Sequence, residues 1–363
     1  MKKAIWIAVG AALCLIAVCA YFVRAGQTEP GPRAVSKIGM LLNGSVEDQG
    51  YSQSQYEAMA AVAETEGLAL IYQDRVAADS DFLSKAEEMI ADGCGVIVCD
   101  SYLFDPWLVE LAEAYPEIYF LNASGTATAK NLSAYLGRAY QVRYLSGLVA
   151  GRQTKTNAIG YVLAFLTPET IRQLNAFTVG VRKVNPEATV YVRHTDDWND
   201  GEKAAAAATA LLEAHPIDVL TQHINPISPL RIADERGVYT IGNNHDNGEL
   251  FPRTALTSCV FDWEPFFAER IRECVQRSFL GRHYWAGLGT GLVRLAPLSN
   301  LVDAETREIV DAETERLKSG AFDVFYGPLT DIYGTLQVRE NENLSDQQLL
   351  FGMYWFVDGV VME

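Results

Sequence analysis

The sequence predicts an α/β protein built from two doubly wound, parallel-sheet lobes. Three observations carry that expectation. Short apolar, β-rich runs alternate with helical patterns, as expected of a parallel sheet joined by crossover helices. The alternation runs once between Ile38 and Leu121 and begins afresh at Ala158. Finally, 363 residues, 49% of them hydrophobic, suffice to bury more than one core.

At the N-terminus, Lys2-Lys3 precede an uncharged, mostly apolar stretch from Ala4 to Val23, closed by Arg24 and followed by Gly26-Gln27-Thr28-Glu29-Pro30-Gly31-Pro32. The second part has linker composition, and the first reads as an export signal or a membrane anchor. A cleavable signal has an apolar core of about 7 to 15 residues, whereas about 18 or more can span a bilayer. Length therefore favours a retained N-terminal membrane helix. Lipid attachment at Cys19 is the weaker alternative, because Val18 stands where a small residue normally precedes the modified cysteine. Lys2-Lys3 should remain in the cytoplasm, which places the chain from Arg24 onward outside, tethered to the membrane.

The first half then alternates Ile38 to Leu42 (strand), Tyr56 to Glu66 (helix), Leu68 to Tyr72 (strand) and Phe82 to Ala91 (helix). It continues with Val96 to Cys99 (strand), Pro106 to Ala114 (helix) and Ile118 to Leu121 (strand). Tyr140, Tyr144, Leu148 and Val149 fall at helical spacing, and Gly147, Ala150 and Gly151 are small enough for close packing, which predicts a packed core helix over Tyr140 to Gly151. The second half runs Ala158 to Leu163, Glu169 to Val184, Thr189 to Arg193, Gly201 to Ala214, Ile217 to Thr221, Ile227 to Arg236 and Val238 to Ile241.

Phe261-Asp262-Trp263-Glu264-Pro265 opens a further helix, to about Phe279, that should return to the first lobe. Leu292 to Leu295 reads as another strand and Ala304 to Ser319 as a charged helix. The expected division is 1–36 for the membrane segment and linker, 37–156 plus about 260–290 for the first lobe, and 157–259 plus about 291–363 for the second.

Composition narrows the function. A formal charge of -17 and no basic stripe with interleaved aromatics argue against nucleic acid as a partner. Cys94, Cys99, Cys259 and Cys274 are too scattered for a disulfide framework or a metal knuckle, and Cys99 fits a core strand. The five histidines show no HExxH spacing, so no metal site is expected. Asp196-Asp197-Trp198-Asn199-Asp200 lacks the alternating ligands, glycine and terminal glutamate of a calcium loop. Gly287-Leu288-Gly289-Thr290-Gly291 precedes a strand, the wrong context for a phosphate loop, and reads as a turn or hinge. No Gly-x-Ser-x-Gly elbow occurs, and no cofactor is implied.

In open α/β sheets a ligand sits beyond the carboxyl ends of the strands. The loops placed there contain Asp48, Tyr51 and Ser52 after the first strand, Asp100-Ser101-Tyr102 after the third, and Asn122-Ala123-Ser124 after the fourth. In the second half they contain Ala164-Phe165, Asp196 to Trp198, Gln222-His223-Ile224-Asn225, and Asn243-Asn244-His245-Asp246. Two such edges facing each other across a hinge form a cleft that combines aromatic faces with fixed donors and acceptors, suited to a planar, polar, uncharged ligand. Tyr51, Tyr102 and Trp198 can stack on a heterocycle, while Asp48, Asn225, Asn244 and Asp246 can satisfy its polar edges.

Several stretches together resemble a known family. They are Glu47-Asp48-Gln49-Gly50-Tyr51-Ser52-Gln53-Ser54, Tyr115-Pro116, Tyr135-Leu136-Gly137-Arg138, Tyr144 to Gly151, Ile159-Gly160-Tyr161-Val162 and Asn175 to Gly180. Asn185-Pro186, Trp198, Ile241-Gly242 with Asp246, Asp262-Trp263 and Phe325-Tyr326-Gly327-Pro328-Leu329 follow in order. From Lys37 onward the chain resembles the basic membrane protein family of ABC-transporter substrate-binding proteins, which includes purine nucleoside receptors.

The resemblance implies a type I periplasmic-binding-protein fold, a purine nucleoside or nucleobase as ligand, and an ABC permease as partner. Nucleoside-binding members carry an aspartate, a phenylalanine and an asparagine in the opening loop, matched here by Asp48, Tyr51 and Ser52. A family aspartate that holds ribose falls on Asn244, and a family lysine falls on Phe261, which puts a free nucleobase on a par with a nucleoside. Alternatives are a membrane-anchored sensor of the same fold or a nucleoside hydrolase, the latter using Asp48 and Asp246.

Overall fold

The computed structural model describes residues 31–363. The expected membrane helix, Ala4 to Val23, and with it Cys19, lies outside the described residues. Among the described residues no helix is long and apolar enough to cross a membrane.

The first lobe is wound from β1 (Lys37–Leu41), α1 (Tyr51–Glu66), β2 (Ala69–Gln73), α2 (Ser80–Ala91), β3 (Val96–Cys99), α3 (Asp105–Ala114), β4 (Tyr119–Ala123) and β5 (Leu132–Gly137). The second follows as α4 (Ala139–Gln153), β6 (Ala158–Leu163), α5 (Pro168–Val184), β7 (Thr189–His194), α6 (Gly201–Ala214), β8 (Val219–His223), α7 (Ser228–Glu235), β9 (Tyr239–Asn244) and β10 (Ala255–Phe261). The chain then returns through α8 (Trp263–Val275) and β11 (His283–Ala286), and crosses once more to β12 (Val293–Leu295) and α9 (Ala304–Lys318). A two-strand hairpin, β13 (Leu329–Thr330) with β14 (Leu336–Val338), then α10 (Asp346–Phe351) and β15 (Val360–Met362) complete it.

The first sheet has strand order β2-β1-β3-β4-β5-β11 and is parallel throughout. The second runs β15-β7-β6-β8-β9-β10-β12, and only β12 is antiparallel to its neighbour. Both sheets therefore share one doubly wound order, with the winding reversing between β1 and β3 in one lobe and between β6 and β8 in the other. At such a reversal the loops leave in opposite directions and open a crevice at the carboxyl edge.

Three segments link the lobes: 137–139, 261–263 and 286–293. They are closely packed. A Cβ at Gly137 would stand 2.5 Å from Phe261 Cε1 and 2.6 Å from Val293 Cγ1, so only glycine fits where the three strands pass. The Gly287 to Gly291 stretch is a short 3-10 turn in the third link, with Gly291 in the left-handed region at φ 81°.

The helix expected to close the first lobe belongs elsewhere. The side chains of α4 lie in the core of the second lobe, with Tyr144, Leu148 and Val149 among Phe177, Val181, Ile159 and Val190. The reason is its surface, which is apolar or small nearly all round and buried from Ala139 to Gly151. Such a helix needs cover on every side, and α5 supplies it through glycine contacts on both helices.

The core of the first lobe lies on both faces of its sheet. α8 covers one face with Trp263, Phe266, Phe267 and Ile271, packed against Met59, Val62 and Tyr135. Phe82, Phe104, Leu108 and Ile97 fill the other.

Candidate functional site

The first wall of the crevice is the β1–α1 loop. Its conformation is fixed by Asp48, whose carboxylate accepts the backbone N–H groups of Gly50 (2.8 Å), Ser52 (3.1 Å) and Gln53 (3.1 Å). Those amides belong to the first turn of α1 and have no partner within the helix, so Asp48 acts as its cap. Burial raises the Asp48 pKa, and the three amides work against that rise. The carboxylate expected to meet ligand is thus committed to the loop.

Ser52 is buried and equally engaged. Its hydroxyl donates to Asp100 Oδ2 at 2.6 Å and accepts the Gly44 N–H at 3.1 Å. Asp100, just past β3, also accepts the Asn43 N–H at 2.7 Å, joining the two loops that flank the winding reversal. Burial pushes the Asp100 pKa up to about 7. Tyr51 opens α1 with its ring edge-on to Phe261 and Trp263, centroids 5.9 Å away in each case, and its hydroxyl 3.2 Å from Ser124 Oγ. Tyr102, by contrast, begins a short 3-10 turn and is 41% exposed.

The second wall is made by the loops after β6 to β9. Trp198 packs against Phe165 (6.0 Å between centroids) and edge-on to His223 (5.6 Å), and its indole N–H is buried without a partner. His223 is 6% exposed, with Nε2 3.7 Å from Glu169 Oε2 and Nδ1 unpartnered. Burial, then the charges of Arg143 and Arg172, hold its pKa well below the ordinary histidine value. The contact with Glu169 is therefore that of a neutral imidazole, and it is too long for a direct hydrogen bond.

Arg143 is fully buried, and among the described residues its guanidinium is held by uncharged oxygens. Its guanidinium reaches Gln173 Oε1, Thr221 Oγ1, the Gln222 carbonyl (2.7 Å) and Asn243 Oδ1 (2.5 Å). Asn225 donates to Asn199 at 2.9 Å, and its backbone N–H donates to the Trp198 carbonyl at 3.1 Å. Asn244 is buried in the left-handed region at φ 65°, a conformation asparagine tolerates better than most residues. Asp246 is exposed and accepts the Gly248 N–H at 3.0 Å.

Two clefts separate the walls. One, of about 730 Å³, lies between Asn43 to Gln49 of the first lobe and Asn199 and Asn225 to Ser228 of the second. The other, of about 300 Å³, lies between Ser54 to Ala58 and Asn244 to Asp246. His245 Nε2 approaches Glu57 Oε2 to 3.9 Å across it. Asp48 and Asn225 thus share one cleft, Asn244 and Asp246 the other, and Trp198 stands against His223. Burial is the main cause that raises the Tyr51 pKa, and the charges of Asp100 and then Glu169 add to it. Among the described residues no group of three or more His, Cys, Asp or Glu is placed to hold a metal ion.

This fold, with a crevice at two matched winding reversals, has counterparts among known proteins. Residues 35–320 match the family described as ABC transporter substrate-binding protein PnrA-like. The chain belongs to that family. A purine-binding protein of Brucella abortus is 29% identical over 348 residues, covering 95% of this chain and 98% of the relative. A Haloferax volcanii protein named for ABC-transporter glucose binding is 33% identical over 314 residues, covering 86% and 77%. A crystal structure of a solute-binding protein from Conexibacter woesei superposes with a TM-score of 0.67 at 22% identity, covering 80% of this chain and 98% of the other. One from Aeropyrum pernix gives 0.69 at 17%, covering 79% and 92%. At these identities the solved structures establish the periplasmic-binding-protein-like fold.

Membership of the PnrA-like family makes the protein a substrate-binding component of an ABC transporter, with a small-molecule ligand and a permease as partner. Such components of importers work outside the cytoplasm. Glu169 and Arg143 are the residues whose part in the crevice sequence reasoning missed. A signal existed for Arg143, the one charge between Ala139 and Gly151, which must find polar partners when buried.

Proposed function

We propose that this protein captures a purine nucleobase or nucleoside between its lobes and delivers it to an ABC permease. The observation that supports the reading is an aromatic ring in the strand-end loops of each lobe, Tyr51 and Trp198, together with buried, unpartnered nitrogen atoms on Trp198 and His223. Flat rings favour a planar ligand, and unpaired buried polar atoms are costly unless a ligand completes them. Asp48 and Ser52 act mainly by shaping the loop that presents Tyr51, and Asn225, Asn244 and Asp246 line the clefts beside it. Attachment to the membrane through Ala4 to Val23 would keep the receptor near its permease.

The name of the purine-binding relative agrees with this reading, while that of the Haloferax relative points to a hexose. Isothermal titration of the purified protein with hypoxanthine, adenine, inosine, adenosine and glucose tests it. Heat with a purine at micromolar concentration is expected. Heat with glucose alone would overturn the proposal.

A further inference from the structure

The carboxyl ends of β8 and β9 carry two buried nitrogens with no partner, His223 Nδ1 and Asn243 Nδ2. The two residues are 6% and 5% exposed. Thr221 pairs with Ile241 in the parallel register, so His223 and Asn243, each two residues further on, sit side by side on one face of the sheet. Both are oriented by neighbours. Arg143 Nη2 donates to Asn243 Oδ1 at 2.5 Å, which fixes the amide and turns its NH2 away from the guanidinium. Glu169 Oε2 faces His223 Nε2 at 3.7 Å, and Gln173 Nε2 donates to the other oxygen of the same carboxylate.

A neutral imidazole carries one proton, and the carboxylate beside Nε2 favours it there, leaving the Nδ1 lone pair as an acceptor. The pair therefore offers an acceptor at His223 next to a donor at Asn243. The indole N–H of Trp198, edge-on to the same imidazole, is a third unpartnered group.

We propose that His223 and Asn243 together read one edge of the ligand, His223 accepting from a ring or exocyclic N–H and Asn243 donating to the adjacent oxygen or ring nitrogen. Glu169 and Arg143 are positioning residues, the first for the imidazole tautomer and the second for the amide. The ligand class is an uncharged heterocycle with an amide- or amidine-type edge. This deepens the purine reading and rests on it for the choice of hypoxanthine as probe.

The test has two arms on the full chain. In the first, hypoxanthine is titrated into wild type, His223→Phe and Asn243→Leu, with thermal melting as the folding control. Each variant is expected to bind at least tenfold more weakly. Binding within twofold of wild type for both folded variants would overturn the proposal. In the second arm, imidazole 15N shifts of ligand-free protein at neutral pH should show His223 protonated at Nε2, with that preference lost in Glu169→Ala. A proton at Nδ1 in wild type would overturn the assignment of His223 as acceptor. Should wild type bind no hypoxanthine, the purine reading falls, while the 15N measurement still decides the tautomer on which this inference stands.

Discussion

Gly147 and Gly180 hold α4 and α5 in backbone contact. A Cβ on Gly147 would lie 2.1 Å from the Phe177 carbonyl oxygen, and one on Gly180 would lie 2.1 Å from the Tyr144 carbonyl oxygen. Neither obstacle is a movable side chain, so a single methyl must push the helices apart. Gly147→Ala is expected to lower stability by about 1–3 kcal/mol, the usual cost of overpacking a filled core. Chemical denaturation followed by circular dichroism checks this, and an unchanged midpoint would show that the helices slide freely.

Asp100 sets a pH dependence of folding. Its pKa rises on folding from an ordinary carboxylate value to about 7, chiefly through burial. Between these two values the folded state holds a proton that the unfolded state has released, so this group's contribution to stability falls as pH increases. It is complete below the unfolded pKa and gone above about pH 7. The Asp100→Asn substitution mimics the protonated carboxyl and should flatten the stability profile between about pH 4 and pH 7. An equally steep profile in the variant would assign the dependence to another group.

Tyr51 separates ring from hydroxyl. If its ring stacks on ligand, Tyr51→Ala should weaken purine binding ten- to a hundredfold, about 1–3 kcal/mol. Tyr51→Phe keeps the ring, loses the 3.2 Å contact of the hydroxyl with Ser124 and should stay within a few-fold. Equal losses in the two variants would place the effect in the hydroxyl.

Trp263 anchors the second lobe link. It is 1% exposed, lies 4.5 Å from the Phe261 ring at 14°, and donates its N–H to Ser54 Oγ at 3.3 Å. Trp263→Ala should destabilise by about 3–5 kcal/mol. A melt shifted by only a degree or two would show that the link tolerates the void.

The strands whose apolar runs sit between helical patterns were legible in the sequence, because helix and strand periods differ and each loop then falls at a sheet edge. β10 was harder. Thr257 and Ser258 interrupt its apolar run, and their burial follows from β9 and β12 on either side. β11 is a short edge strand with one exposed and three half-buried residues, so nothing in its composition marks it. At the site, position after a strand singled out Tyr51, Trp198 and His223 as candidates. Glu169 and Arg143 escaped because they sit in helices, where only tertiary packing decides which residue meets a strand end. The bonds of Asp48 and Ser52 to backbone and to Asp100 were not legible, because they depend on a loop geometry that residue type alone does not reveal.

The placement of α4 has a consequence for dissecting the protein. It follows β5 directly in the chain yet fills the other lobe, and β11 joins the first sheet only after β6 to β10 of the second sheet have been passed. A cleavage after residue 156 would leave one fragment carrying a helix it cannot cover and lacking an edge strand, and the other with an open trough along α5. Neither half is a folding unit by simple truncation. Recombining receptors of this architecture to exchange ligand preference therefore requires exchanging interleaved segments, with junctions at all three crossings.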